Sequence, residues 1–216
     1  TGMCVMPHIC CRDKNAIAMR SQLLGAHINN INNFLVITGD PIPSMVRSSV
    51  KSVFNFDSVG LMNIISDMNQ DQFADKPVIY GGAINQGRVN FKVELARVKK
   101  KMEAGATFFM TQPVFSDEDI SRLRQIKEET GARILCGIMP FVSLRNATFM
   151  KNEMTGINVT DEILARYSAD MTKEEGEETG IQIAKEIITK TSDFVDGYYF
   201  SFPFNRVHML EKILNA

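Results

Sequence analysis

Two short stretches of this chain set a polar side chain directly behind an apolar run, where it can reach a ligand. In Thr38-Gly39-Asp40-Pro41 a carboxylate follows the run 34–38 on a glycine-containing turn. Glycine lets the backbone approach a bound molecule closely, and the turn then presents the carboxylate to it. An Asx turn, with Asp40 bonded to its own loop, is the competing reading of the tetrapeptide. In Thr111-Gln112-Pro113, behind Phe-Phe-Met, the glutamine amide offers an acceptor and two donors, which suits the edge of a heterocycle. Loop capping is the alternative there. Gly81-Gly82-Ala83 either admits a bulky ligand or makes a plain turn.

Other candidates are single residues. His8 stands beside Pro7 at the end of the strand-like run 3–10, a better place for a ligand contact than His27 or His208. The latter two fall in helical segments and read as packing or surface residues. The segment 90–103 carries Lys92, Arg97, Lys99, Lys100 and Lys101 on what reads as its outer face. A solvated surface is the default for such a run. The alternative is neutralisation of a pyrophosphate, with Arg97 and Lys101 four apart and on one face. Phe56, Phe108, Phe109 and Phe115 are expected in the core, whereas the loop residue Phe54 can stack on a flat ring.

Several function classes fall away. The chain holds no GxGxxG, Walker, GxSxG or HExxH motif. Its net charge of −1 creates no field to gather nucleic acid or an anionic membrane. No apolar run approaches the roughly 18 residues of a membrane span. The four cysteines, at 4, 10, 11 and 136, form no CxxC pair and read as reduced thiols of a cytoplasmic protein, not as a zinc site.

Positioning these side chains requires a scaffold, and the scaffold is legible. Strand-like runs at 3–10, 34–38, 77–81, 107–111, 133–137 and 197–202 alternate with amphipathic helical stretches. Asn15 is set to cap a helix that Gly25 ends. Ser58 opens the next, and a third carries the stripe Phe91, Leu95, Val98 and Met102 up to Gly105. Ser116 precedes an acidic first turn in a helix that Gly131 closes, and two more run near 161–169 and 178–190. Several strands are apolar at consecutive positions, as strands covered on both faces are. Strand and helix alternating without hairpin turns implies parallel pairing. Six such units suit either a doubly wound sheet or part of a (β/α)8 barrel. Polar residues behind all six strands (His8, Asp40, Asn85, Gln112, Pro140 and Asn205) favour the barrel mouth.

Taken in order, PHICCRDKN, ITGDP, FNFDSVGLM, GGAIN, KKKMEAGATFFMTQPVF, GIMPFVSLRNA and YYFSFPFNR resemble the methylenetetrahydrofolate reductase family across nearly the whole chain. They are closest to the reductase half of bacterial enzymes fused to a homocysteine methyltransferase. The resemblance implies a single flavin-binding (β/α)8 TIM barrel domain over residues 1–216, with these six strands as the third to eighth. The N-terminal part, with the glutamate acid of the first strand and a flavin-binding threonine of the second, is then expected upstream. It further implies FAD, a reductant NADH or NADPH, and ping-pong hydride transfer to 5,10-methylenetetrahydrofolate in one-carbon metabolism and methionine biosynthesis. By motif position Asp40 is the implied catalytic residue, near the flavin pyrimidine edge and the pterin. His8, Thr38, Gly39, Phe54, Asn55 and Asn85 fall at flavin contacts, and Arg97, Lys100 and Lys101 match the phosphate-reaching helix. Gln112, Asn146 and Arg206 align with folate contacts. Thr38 and Asn85 depart from the arginine and histidine of many stand-alone members. A non-redox folate-binding or scaffolding module is the second reading, and a phosphate-binding barrel lyase a third, which lacks a placed Schiff-base lysine. The expected partners are folate, a fused methyltransferase domain and further copies of the chain.

Overall fold

The computed structural model describes residues 2–154 and 156–215. Its elements run β1 (His8–Cys10), α1 (Ala16–Ile28), β2 (Asn33–Ile37), α2 (Ser58–Gln70), β3 (Ile79–Ile84), α3 (Phe91–Glu103) and β4 (Phe108–Pro113). There follow α4 (Asp117–Thr130), β5 (Ile134–Ile138), α5 (Leu144–Glu153), α6 (Asp161–Ala165), α7 (Lys173–Thr191), β6 (Gly197–Phe200) and α8 (His208–Leu214). The six strands form one sheet in the order β1-β2-β3-β4-β5-β6. Pairing is parallel between β1 and β2, with His8 opposite Leu35, and likewise for β2–β3 and β5–β6. A doubly wound sheet reverses its strand order at a switch point. This order has no reversal, so the α/β fold is wound as a (β/α) barrel is.

The described residues gather into two compact units, one of residues 2–83 and 96–109, the other of 84–95 and 110–215. In the first, Phe34 and Val36 of β2 are buried, as are Met19 and Leu23 of α1 and Leu61, Met62 and Ile65 of α2. In the second, Leu123 and Ile126 of α4, Ile134 and Ile138 of β5 and Ile181 and Ala184 of α7 are buried. Each buried Leu or Ile contributes on the order of 1.5–3 kcal/mol by leaving water.

Local punctuation explains most element ends. Asn15 caps α1 by accepting from the Ala18 N–H, but Gly25 does not end that helix. It continues to Ile28 and stops where Asn30 turns to φ 60°, since a lone glycine weakens a helix without breaking it. Ser116 caps α4, and Gly131 closes it at φ 68°. The last long helix begins at Lys173, earlier than the apolar pattern implies, because Thr172 and Glu175 form a reciprocal capping box. Glycine also sets packing on α7. A Cβ at Gly180 would overlap the Phe141 carbonyl, and one at Gly176 the Val142 carbonyl, so the helix backbone lies directly against the chain behind β5.

Candidate active site

In the first unit, β2 ends at Ile37 and delivers Thr38, Gly39 and Asp40. Thr38 Oγ1 accepts the Ser58 N–H at 3.1 Å, tying this turn to the start of α2. Gly39 has φ +92°, and a Cβ there would press on Arg12 and Cys10 at 3.2–3.3 Å, so only glycine fits. Asp40 is exposed, and its carboxylate makes no hydrogen bond among the described residues. Its backbone carbonyl takes a bond from Arg12 Nη1 at 3.4 Å, and Arg12 is itself held by both oxygens of Asp13. The Asx-turn reading of Asp40 is therefore not what the chain adopts.

The loop that follows presents Phe54 and Asn55, both exposed. Phe54 has φ +39°, uncommon for a bulky side chain. With Pro41, Ile42, Arg47, Val50, Lys51 and Ser52 it lines a cavity of about 320 Å³.

Two expectations about this unit need correction. His8 is the first residue of β1, not the residue behind it, because the ladder with β2 starts only at His8. It is exposed at the amino end of a three-residue strand. Lys101 is not on the outer face of α3. It is 4% exposed, lies one turn from buried Val98, and its Nζ donates to the Ala83 carbonyl. The inward face of α3 includes every third or fourth residue, and 94, 98 and 101 fall on that line. Of the other two residues expected on that face, Lys100 is exposed and Arg97 half-buried.

In the second unit, Asn85 follows β3 directly. Its N–H donates to Glu94 Oε1 at 3.0 Å, and its side-chain Oδ1 is buried with no hydrogen-bond partner among the described residues. Gln112 lies inside β4, one residue before its end, and not behind the strand. Its backbone N–H and carbonyl are both bonded by the Gln86 side chain, while its own amide makes no hydrogen bond among the described residues. Asn146 is committed to its own helix start. Its Oδ1 accepts the Val142 N–H at 3.3 Å and its N–H donates to Ser143 Oγ. Arg206 follows a 3-10 turn in which Phe204 and Asn205 both have positive φ, and its Nε pairs with Glu177.

Sequence reasoning passed over Gln86, Arg88, Glu94 and Arg122. Glu94 is 2% exposed and holds Arg88 at 3.0 Å as well as the Asn85 amide. Arg122 Nη1 donates to the carbonyls of Gln86 and Arg88 at 2.8 and 3.1 Å. One signal was available: Glu94 sits within the apolar stripe of α3, where a charge must find partners.

The family model for methylenetetrahydrofolate reductase matches residues 1–215. This chain belongs to that family. Among curated methylenetetrahydrofolate reductases, the 5,10-methylenetetrahydrofolate reductase of Salmonella typhimurium is 24% identical over 220 residues, covering 100% of this chain and 71% of that protein. The enzyme of that name from Buchnera aphidicola subsp. Schizaphis graminum is 27% identical over 157 residues, 70% of this chain. The match spans 51% of the Buchnera protein, about half its length. In fold, the chain resembles an uncharacterized protein from Clostridium thermocellum that binds two copies of 5-methyl-5,6,7,8-tetrahydrofolic acid. The TM-score is 0.50 at 14% identity, covering 96% of this chain and 91% of that one. Among the described residues, the side chains of Asp40 and of Gln112 make no hydrogen bond to the rest of the chain.

Proposed function

We propose that this chain serves the FAD-dependent reduction of 5,10-methylenetetrahydrofolate to 5-methyltetrahydrofolate, with NADH or NADPH as reductant in a ping-pong order. The family match over residues 1–215 carries this reading. The flavin-facing residues fit such a group in part. Phe54, Asn55, Lys100 and His8 are exposed, and Asn85 Oδ1 is a buried acceptor awaiting a donor. Lys101 does not fit a phosphate-binding place, being turned onto the Ala83 carbonyl.

When bound, the flavin would supply the acceptor and donor of hydride. The chain's own residues orient and polarise. Asp40 would set a carboxylate beside the folate, which lowers the energy of an iminium cation more than that of the neutral substrate. Gln112 presents donor and acceptor together to the pterin edge. Lys100 and Arg97 supply positive charge for phosphate.

The test begins with FAD titration followed by the visible spectrum, then NADH consumption with menadione as the terminal acceptor. Asp40→Asn should slow folate reduction roughly ten- to a hundredfold more than NADH oxidation. Equal losses in the two half-reactions would show that Asp40 only holds the flavin. A colourless protein that consumes no NADH would sink the redox reading.

A second reading, a folate-binding module without redox activity, draws support from the internal commitment of Thr38 and Lys101. Calorimetric uptake of 5-methyltetrahydrofolate with no uptake of FAD would select it.

A further inference from the structure

We infer that Gln86 is a positioning residue for Gln112, and that through Gln112 it sets the affinity for the pterin; this rests on the proposed reading of Gln112 as the pterin-facing amide. Gln86 lies two residues beyond the end of β3 and is 1% exposed. Its Oε1 accepts the Gln112 N–H at 3.1 Å, and its Nε2 donates to the Gln112 carbonyl at 3.0 Å and the Pro113 carbonyl at 3.4 Å. The side chain thus does for Gln112 what the backbone of a neighbouring strand would do, supplying one donor and one acceptor to the same residue. In a strand, the side-chain direction follows from the backbone that carries it. Holding the Gln112 N–H, and sharing its carbonyl with the Thr111 hydroxyl at 2.7 Å, Gln86 therefore helps to aim the Gln112 amide.

Gln86 is anchored in turn. Arg122 donates to its carbonyl at 2.8 Å and to that of Arg88 at 3.1 Å, while Glu118 pairs with Arg122 at 2.5 Å and the Phe91 ring lies beneath the guanidinium. Only an amide meets both requirements of the Gln112 backbone. A glutamate keeps the acceptor but sets a carboxylate against two carbonyls. A methionine keeps the volume and offers neither bond.

Gln86→Met, Gln86→Glu, Gln112→Ala and the Gln86→Met/Gln112→Ala pair would be compared with the parent chain. Affinity for 5-methyltetrahydrofolate is read by calorimetry, FAD uptake by flavin fluorescence and folding by urea melts. Gln112→Ala should weaken folate binding about tenfold, and Gln86→Met about three- to tenfold, with FAD uptake unchanged. In the Gln112→Ala background Gln86→Met should cost no further affinity, an outcome that a generic loss of structure does not produce. Should Gln86→Met fail to fold, Gln86→Glu carries the test, and a loss of folate affinity confined to backgrounds with Gln112 intact supports the inference. If Gln112→Ala weakens binding while the Gln86 variants do not, or if Gln86→Met is equally damaging without the Gln112 amide, the positioning role is wrong and the proposed function stands. If Gln112→Ala changes nothing, or the parent chain takes up no folate, the reading of Gln112 itself fails and this inference with it.

Discussion

Arg206 Nε pairs with Glu177 Oε1, and the other oxygen of Glu177 meets His208 Nε2 at 2.7 Å. The arginine expected to meet folate is thus tethered to α7, and its guanidinium also lies 5.4 Å from the Phe204 ring. Glu177→Gln should free Arg206 and cost roughly 1 kcal/mol or less of stability in urea melts. His208 and then Arg206 hold the Glu177 carboxyl below its usual range against the opposing effect of burial. A carboxylate with a depressed folded value stabilises fully above its unfolded value, and that stabilisation is lost as pH falls through the depressed one. The variant should therefore differ from the parent above pH 4.5 and converge with it in stronger acid. A constant difference down to the lowest pH would remove Glu177 as the titrating group.

Two glycine substitutions should act in opposite directions. Gly25 is inside α1 with open space around its Cα, so Gly25→Ala should stabilise by about 0.5–1 kcal/mol. A Cβ on Gly180 overlaps the Phe141 carbonyl, which is backbone and cannot swing aside. Gly180→Ala should destabilise by about 3 kcal/mol or prevent folding. Thermal melts decide both, and a stable Gly180→Ala protein would show that α7 can shift outward.

The thiols divide by burial. Burial pushes Cys11 and Cys136 up to about 12, whereas Cys4 is exposed and Cys10 partly so. A disulfide reagent at pH 8 should label Cys4 and Cys10 quickly and the other two only in denaturant. Rapid labelling of all four in the native chain would contradict the burial of Cys11 behind β1 and of Cys136 in β5.

Asp119 is 1% exposed on the first turn of α4, and burial raises its carboxyl above the usual value. Its folded state holds the proton more tightly than the unfolded chain, so stability is penalised as pH rises past the unfolded value. Asp119→Asn should be more stable than the parent at pH 7 and close to it at pH 3, as urea melts at the two pH values would show. Equal stability at pH 7 would mean that the helix amino terminus already compensates the charge.

Strand and helix identities were open to reading because they rest on contacts a few residues apart. The cap at Asn15, the acidic turn after Ser116 and the stop at Gly131 are such local devices, and each lies where it was expected. Gly25 misled because the same residue type breaks a helix only when its neighbours also favour an exit. The short helix α5 went unseen, since its cap, Ser143, precedes a stretch without a strong apolar stripe.

What the residues by themselves determined is the alternation of strand and helix, the family, and the place of Asp40 behind a strand. Tertiary structure alone decided the unreversed strand order and the grip of Gln86 on Gln112. The physical reason is separation along the chain. Gln86 and Gln112 are 26 residues apart and Glu177 and Arg206 are 29, and no periodicity of 2 or 3.6 carries information over that distance.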